Sequence, residues 1–446
     1  MDYQSFKNVV IAEAQAMGLT DYELYYQSGE NTSAGAYQHE INEFSASEGG
    51  GVCFRCIVDG KMGYASTEAL NENEAKAIVR RAADNASVLE SEEEVFLCEG
   101  GKTYAQLTLE PYALPSTEEL IATVLDTQEK LYASDPAVID GCQTQGIAER
   151  SCIAICNSRG LDLTYENTVT GLIVASVVMG NGEMANDYQI KLGKLDAIDT
   201  DTLAKKATEG ALGKLGGDVA PTGQYPVIFN SEAMSNLLAT FSGIFSSENA
   251  QKGLSKLAEG TMAASEAVTL VDDPFHPENP SPRNFDAEGC PTAKKNVIEK
   301  GMLNTLLYNL KTAAVAGKQT TGNASKAGYS APVAIQPFTM YLENGSYTPE
   351  ELLQKAGNGV YITSLQGLHA GANPVSGDFS LQSAGFMVEN GQKTTSVKSF
   401  TVAGNFYDVL KNITAAANNC HLPMATGKTA FGSPDVLVEG LSIAGK

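Results

Sequence analysis

The residues able to do metal or nucleophilic chemistry are few in this chain, and they are scattered. There are four histidines, His39, His276, His369 and His421, and no two lie within helical or strand spacing of each other. A hydrolytic zinc centre normally takes two His from one helix, with a Glu beside the metal-bound water, and that local signature is absent. Sites assembled from distant residues, such as His369 with Asp378 or His421 with Cys420, stay open at this level. Eight cysteines offer two tempting spacings. Cys53 and Cys56 fall in a run, 51–58, that reads as a strand, and their odd spacing sends the thiols to opposite faces. Cys152 and Cys156 share a face but sit about 13 Å apart along a strand. Neither pair chelates one metal without a bend, so the thiols read as free and at least half-buried in a reducing compartment. No Gly-x-Ser-x-Gly elbow follows a strand. The run Thr320-Thr321-Gly322-Asn323-Ala324-Ser325-Lys326 lacks the spacing of a phosphate loop, and Gly427-Lys428-Thr429 carries only its tail. No catalytic residue and no metal ligand is assigned.

Two stretches stand out among the elements that would position a site. The first is a helix expected over 231–247, after a strand at 225–229. Its apolar stripe, Met234, Leu237, Leu238, Phe241, Ile244 and Phe245, has helical spacing. It holds no His, and its acidic residue in the first turn is Glu232. The second is the loop 367–380, Gly-Leu-His-Ala-Gly-Ala-Asn-Pro-Val-Ser-Gly-Asp-Phe-Ser. Its glycines and proline bring backbone close to another segment or a ligand; tight turns in a β-rich domain explain the composition equally well.

The first half of the chain alternates helices with hairpins. Helices are expected over 5–17, 66–88 with Ser66 as cap, 117–132 behind the capping box Ser116-Thr117-Glu118-Glu119, and 201–215. Strands are expected at 22–27, 34–44, 51–58 and 61–65, the last two joined by Asp59-Gly60, and further on at 148–156, 161–167 and 172–178. The acidic run 90–94 and Gly100-Gly101 read as a linker, and Pro221-Thr222-Gly223 as the main boundary. The expected units are therefore 1–95, 96–218 and 222–446. The last is rich in strands, with turns at Lys300-Gly301 and Asn390-Gly391 and helices over 308–316, 348–357 and 406–417.

Composition narrows the function classes. Of 446 residues, 30 are Lys or Arg and 53 are Asp or Glu, a net charge of −23. Such a surface repels phosphate backbones and argues against nucleic acid as partner. A basic or unfolded polypeptide suits it better. No apolar run is long enough to span a bilayer and the N-terminus lacks a leader pattern, so a cytoplasmic protein with no membrane partner is expected.

Several landmarks together resemble the TldD/PmbA family: Gly49-Gly50-Gly51-Val52 followed by Asp59-Gly60-Lys61-Met62-Gly63-Tyr64-Ala65-Ser66, then 268–274, Thr321-Gly322-Asn323-Ala324-Ser325, and Gly377-Asp378-Phe379 through Glu389-Asn390-Gly391. Their order spans nearly the whole chain. The resemblance implies an α+β protein in which an N-terminal sheet-and-helix region precedes a C-terminal domain with a large curved, mostly antiparallel β-structure. It also implies a dimer enclosing a channel for unfolded peptide. TldD-type subunits of the family carry a His-Glu-x-x-x-His zinc motif on the helix corresponding to 231–247. Anchored on Leu237-Leu238, those positions here read Ala239, Thr240 and Ile244, which resembles the PmbA (TldE) type that pairs with a TldD-type subunit. The family label "modulator of DNA gyrase" fits poorly with direct DNA binding at −23.

The resulting expectation is a non-catalytic subunit of a zinc metalloprotease complex. This chain binds no cofactor; zinc sits in the TldD-type partner, where it lowers the pKa of water for attack on a peptide carbonyl. Substrate peptide is expected along Thr321, Gly322 and Asn323 and along Gly371, Gly377, Asp378 and Phe379, held through sequence-tolerant backbone bonds. Two rival readings stay open: a homodimeric peptidase with a non-standard metal site, and a peptide-binding assembly protein without a protease role.

Overall fold

The computed structural model describes residues 1–90, 94–107, 111–426 and 429–446. Most of the acidic run 90–94, and Gly427-Lys428, lie outside the described residues. The chain is α+β, as the family resemblance implies.

The N-terminal half opens with helix α1 (Tyr3–Ala16) and strands β1 (Tyr22–Tyr37), β2 (Glu40–Val58) and β3 (Lys61–Thr67). Helices α2 (Glu72–Val88) and α3 (Thr117–Ala133) follow, then β4 (Gln143–Asn157), β5 (Asp162–Gly180), β6 (Glu183–Leu192) and α4 (Thr200–Leu212). One antiparallel sheet of order β3-β2-β1-β4-β5-β6 runs through the regions 1–95 and 96–218. Alternation sorts its side chains. Leu24 and Phe54 join Phe6, Val10, Ile78 and Val79 under α1 and α2, while Leu172 and Val174 meet Leu120, Val124 and Leu203 under α3 and α4. The neighbouring Tyr25, with Ile153 and Ile155, points to the opposite face and packs on Phe285, Cys290 and Ala324 of the C-terminal half. Cys56 lies in the helix-side cluster and Cys53 on the other face beside Lys326, as their odd spacing requires.

Three expectations for this half are corrected. The strands expected at 22–27 and 34–44 belong to longer strands that turn at Gln38-His39, both at positive φ. That backbone is unfavourable without glycine, and α3 holds it: His39 N donates to Gln128 Oε1 (3.0 Å), and its ring stacks on Tyr132. The cap of α2 is Asn71, not Ser66, because Ser66 and Thr67 are paired to Cys53 and Val52 in the sheet. Strand β6 was not anticipated, although Asn181-Gly182 turns into it with the same positive-φ pair as Asp59-Gly60.

The C-terminal half begins with β7 (Gly223–Phe229), α5 (Ser231–Phe241) and α6 (Ser247–Gln251). It continues through β8 (Leu270–Asp272), β9 (Lys295–Glu299), β10 (Met302–Leu303), α7 (Leu310–Val315), β11 (Ala324–Ser325), β12 (Ala334–Ile335) and β13 (Thr339–Leu342). The remaining elements are α8 (Pro349–Ala356), β14 (Gly359–Gln366), α9 (Leu368–Gly371), β15 (Asp378–Glu389), β16 (Gln392–Asn405), α10 (Phe406–Asn412), β17 (Ile413–Ala416), β18 (His421–Thr426), β19 (Thr429–Ser433) and β20 (Val436–Ala444). One sheet has the order β16-β15-β14-β7-β20-β17, and a further pairing of β16 with β20 curls it into a barrel. A second sheet runs β10-β9-β8-β13-β19-β18. Only β7–β14 and β13–β19 pair in parallel among the described ladders. The helix expected over 406–417 stops at Asn412, since residues from Ile413 onward pair with β20.

The main core lies within this half, and α5 runs through it. Met234, Leu237, Leu238 and Phe241 are fully buried among Val227, Phe229, Phe400, Phe406 and Val436. Phe241 stacks on Phe406 with centroids 4.8 Å apart.

Candidate functional site

The apolar stripe of 231–247 is as expected, but the element is not one helix. Asn230 caps α5 by accepting from Ala233 N (2.8 Å). The α-helix ends at Phe241, and a 3-10 turn, Ser242–Phe245, takes over. Gly243 weakens the helix there. Side chains bond the carbonyls of this turn: Asn249 Nδ2 donates to Gly243 O (2.8 Å), which also accepts from Ser246 N (3.1 Å), and Ser255 Oγ donates to Ile244 O (2.7 Å). This break changes the geometry at the positions matched to the zinc motif. Ala239 and Thr240 lie on a half-exposed face of α5. Thr240 Oγ1 donates to Asn236 O (2.8 Å), inside its own helix. Ile244 is only 1% exposed and points into the core.

At the start of α5 the polar groups converge. Ser231 N donates to Asp435 Oδ1 (3.0 Å), whose other oxygen accepts from Tyr361 Oη (2.8 Å). His421 Nε2 lies 3.5 Å from Ser231 Oγ. Tyr188 Oη, on β6, donates to Glu232 Oε1 (3.3 Å). Burial and the nearby Asp187 carboxylate raise the Glu232 pKa, opposed by Lys214 and the Tyr188 bond. Beside this junction, Met184, Tyr188 and Ile190 alternate along the edge strand β6, exposed on one face with Met179 of β5. Sequence reasoning missed this surface. Its signal was the Asn-Gly turn before a run with period-two alternation.

The two glycine-bearing loops sit at different places. In the first, Asn323 is fully buried. Its amide donates to Asp272 Oδ2 (2.7 Å) and Gln336 O (3.0 Å), and its Oδ1 accepts from Lys295 Nζ (3.1 Å), which also pairs with Asp272. Thr321 Oγ1 accepts from Tyr308 N (2.7 Å) and donates to Asn323 Oδ1 (2.7 Å). Gly322, at φ 70, is forced: a Cβ there would meet Pro291 O at 2.3 Å. In the second loop, Gly371 is half-buried and Gly377, at φ 87, lies against the Tyr407 ring. Asp378 is exposed; its Oδ1 accepts from Asn405 Nδ2 (2.8 Å), which lowers its pKa. Phe379 is buried against Phe241. Asn323 and Phe379 therefore turn inward, and of the residues expected to line the peptide path only Thr321, Gly371 and Asp378 reach solvent. Asp378 takes Asn405 as its partner rather than His369. Cys420 is half-buried, and its thiol is pushed up to about 12 by burial and by Glu278 and Glu343, so it is a poor ligand near neutrality.

The donor set of α5 does not fit zinc. Ala239 offers a methyl group, Thr240 a hydroxyl committed to its own helix, and Ile244 a buried alkyl chain. Among the described residues, no group of three or more His, Cys, Asp or Glu is placed to hold a metal ion.

A sheet-and-helix half docked on a barrel-bearing half, with the first turn of a core helix reaching their junction, is the architecture of a metallopeptidase family. The chain belongs to the PmbA/TldD family: models of PmbA/TldA metallopeptidase domain 1, central domain and C-terminal domain match residues 22–86, 110–215 and 222–445. It is 28% identical to a metalloprotease of Archaeoglobus fulgidus over 295 residues, 63% of this chain and 68% of that one. It is 26% identical to the metalloprotease PmbA of Escherichia coli O157:H7 over 294 residues, 65% of this chain and 62% of that one. A Thermotoga maritima structure described as a candidate modulator of a DNA gyrase superposes with a TM-score of 0.89 at 29% identity, covering 99% of this chain and all of that one. TldE from Thermococcus kodakarensis shares the fold, with a TM-score of 0.87 at 24% identity over 98% of this chain and 99% of that one.

Proposed function

We propose that this chain is the non-catalytic, PmbA/TldE-type subunit of a two-subunit zinc metalloprotease, shaping the channel through which unfolded peptide reaches a TldD-type partner. The observation that carries the reading is α5. Its packing stripe is intact, while the three positions matched to the zinc motif offer no ligand and no general base. The partner supplies zinc and activated water. This chain supplies surface: the exposed apolar row of Met184, Tyr188 and Ile190 beside Glu232, and the accessible positions Thr321, Gly371 at the end of α9 and Asp378 at the start of β15. An edge strand and open loops hold extended peptide by backbone bonds whatever its sequence. The acidic surface favours cationic, unfolded segments and disfavours nucleic acid. The proposed setting is the cytoplasm; among the described residues no helix is long and apolar enough to cross a membrane.

The channel part of the reading is tested on the reconstituted pair. Tyr188→Ala and Asp378→Ala are expected to raise KM for an unfolded peptide several-fold while leaving kcat within about twofold, since they touch binding and not the reacting atoms. Unchanged KM in both variants would remove these surfaces from the channel.

A further inference from the structure

Cys98 and Cys290 lie 192 positions apart in sequence, yet Cys98 Sγ is 2.8 Å from Cys290 Sγ in a site where both are almost fully buried (1% and 0% exposed). A disulfide needs the two sulfurs about 2 Å apart, so a small adjustment separates this contact from a bond. The backbone on each side is already fixed. On one side, Cys98 O accepts from Asn157 Nδ2 (2.8 Å), and Gly100 N donates to Arg159 O (3.0 Å). On the other, Cys290 N donates to Asp286 Oδ1 (2.9 Å), and Asp286 N donates back to Cys290 O (2.9 Å). Cys98 sits in a described segment, 94–107, that has no helix or strand and crosses from the N-terminal sheet to the C-terminal half. That segment touches the C-terminal half through Tyr104 Oη to Gly289 O (2.8 Å) and Asn284 Nδ2 to Ala105 O (2.8 Å).

We propose that Cys98 and Cys290 are a redox-responsive pair that closes into a disulfide on exposure to a small-molecule disulfide, fastening the 94–107 segment to the C-terminal half. The chemistry is thiol–disulfide exchange. One cysteine loses its proton and attacks the small disulfide, releasing one small thiol and forming a mixed disulfide. The second cysteine then attacks the protein sulfur of that bond, releasing the second small thiol. Two cysteine thiols are oxidised and one small disulfide is reduced to two thiols, so protons and electrons balance. The hydrogen bond to Cys98, burial and the neighbouring Asp286 disfavour the thiolate at Cys290, so the closed core reacts slowly and local opening of the irregular segment admits the reagent. The bond would tie a very long loop, the geometry in which a cross-link restricts the unfolded chain most. In a reducing compartment such a bond is transient and responsive rather than permanent.

The test uses the full chain, fully reduced and then incubated with oxidised glutathione at about pH 8. Remaining thiols are alkylated, and the protein is digested without reductant for mass spectrometry. The expected product is a single cross-linked peptide pair joining Cys98 to Cys290, with Tm raised by about 5 °C and both changes reversed by dithiothreitol. The Tm rise is expected to vanish in Cys98→Ser and in Cys290→Ala. Should either variant fold poorly, the cross-link map of the unaltered chain decides alone. Recovery of both residues alkylated or capped by glutathione, or of either joined to a different cysteine, would overturn the proposal.

Discussion

A histidine introduced at Ile244 would be shut off from solvent in an apolar cluster, because the side chain points into the core from the 3-10 turn after α5. Ile244→His is expected to destabilise the protein by about 2–3 kcal/mol through an unpaired buried polar group. Ala239→His, on the half-exposed face, is expected to cost less than about 1 kcal/mol. Urea unfolding at unchanged m value separates the two, and equal losses would contradict the burial argument. The missing ligands were legible from residue identities alone. The inaccessibility of the third position was not, because it depends on Asn249 and Ser255 accepting the break at Gly243. Asn323 teaches a similar lesson. In sequence it belongs to a polar turn, yet it is fully buried because Asp272, Lys295 and Gln336, all distant along the chain, satisfy its amide.

Elements were legible where local signals agree. The capping box at Ser116 starts α3 as expected, Thr348 caps α8 at the start of the helix expected over 348–357, and the Asp-Gly, Lys-Gly and Asn-Gly turns all have paired positive φ. They were misread where tertiary pairing outranked the local signal. Ser66 looks like a helix cap, but its neighbours on β2 draw it into the sheet, and α2 starts five residues later behind Asn71. Asn71→Ala is therefore expected to lower stability by about 1 kcal/mol. Ser66→Ala is expected to change it by less than about 0.5 kcal/mol. Chemical denaturation measures both, and the reverse ranking would contradict this assignment of the cap. Strand β6 escaped notice because its alternation mixes polar with apolar residues, although it carries the exposed row beside Glu232.

At the scale of the molecule, the two halves meet over buried charge. Arg55 donates through Nε to Glu23 Oε1 (2.7 Å) on the N-terminal sheet, and Glu288 and Asp286 are buried opposite in the C-terminal half. Burial, reinforced by Asp286, lifts the Glu288 carboxyl to about 7, against the Arg55 charge. Its folded pKa therefore lies above its unfolded value near 4.5, and the native state binds the extra proton. The associated stability is fully present below about pH 4.5 and is lost as pH rises through about 7. Between those limits Glu288→Gln, which cannot titrate, is expected to show a flatter Tm–pH profile than the unaltered chain. Parallel profiles would exclude Glu288 as the titrating group.

This chain keeps the fold and the core helix of the PmbA/TldD family without ligands at the positions matched to the zinc motif, and the proposed function leaves the metal to a TldD-type partner. Zinc content per chain tests it most directly, measured on the chain purified alone and on its complex with a TldD-type subunit carrying His-Glu-x-x-x-His. The account predicts no stoichiometric zinc on the chain alone, about one zinc per pair in the complex, and peptide cleavage only by the pair. Stoichiometric zinc on the chain alone, coordinated at α5, would contradict it.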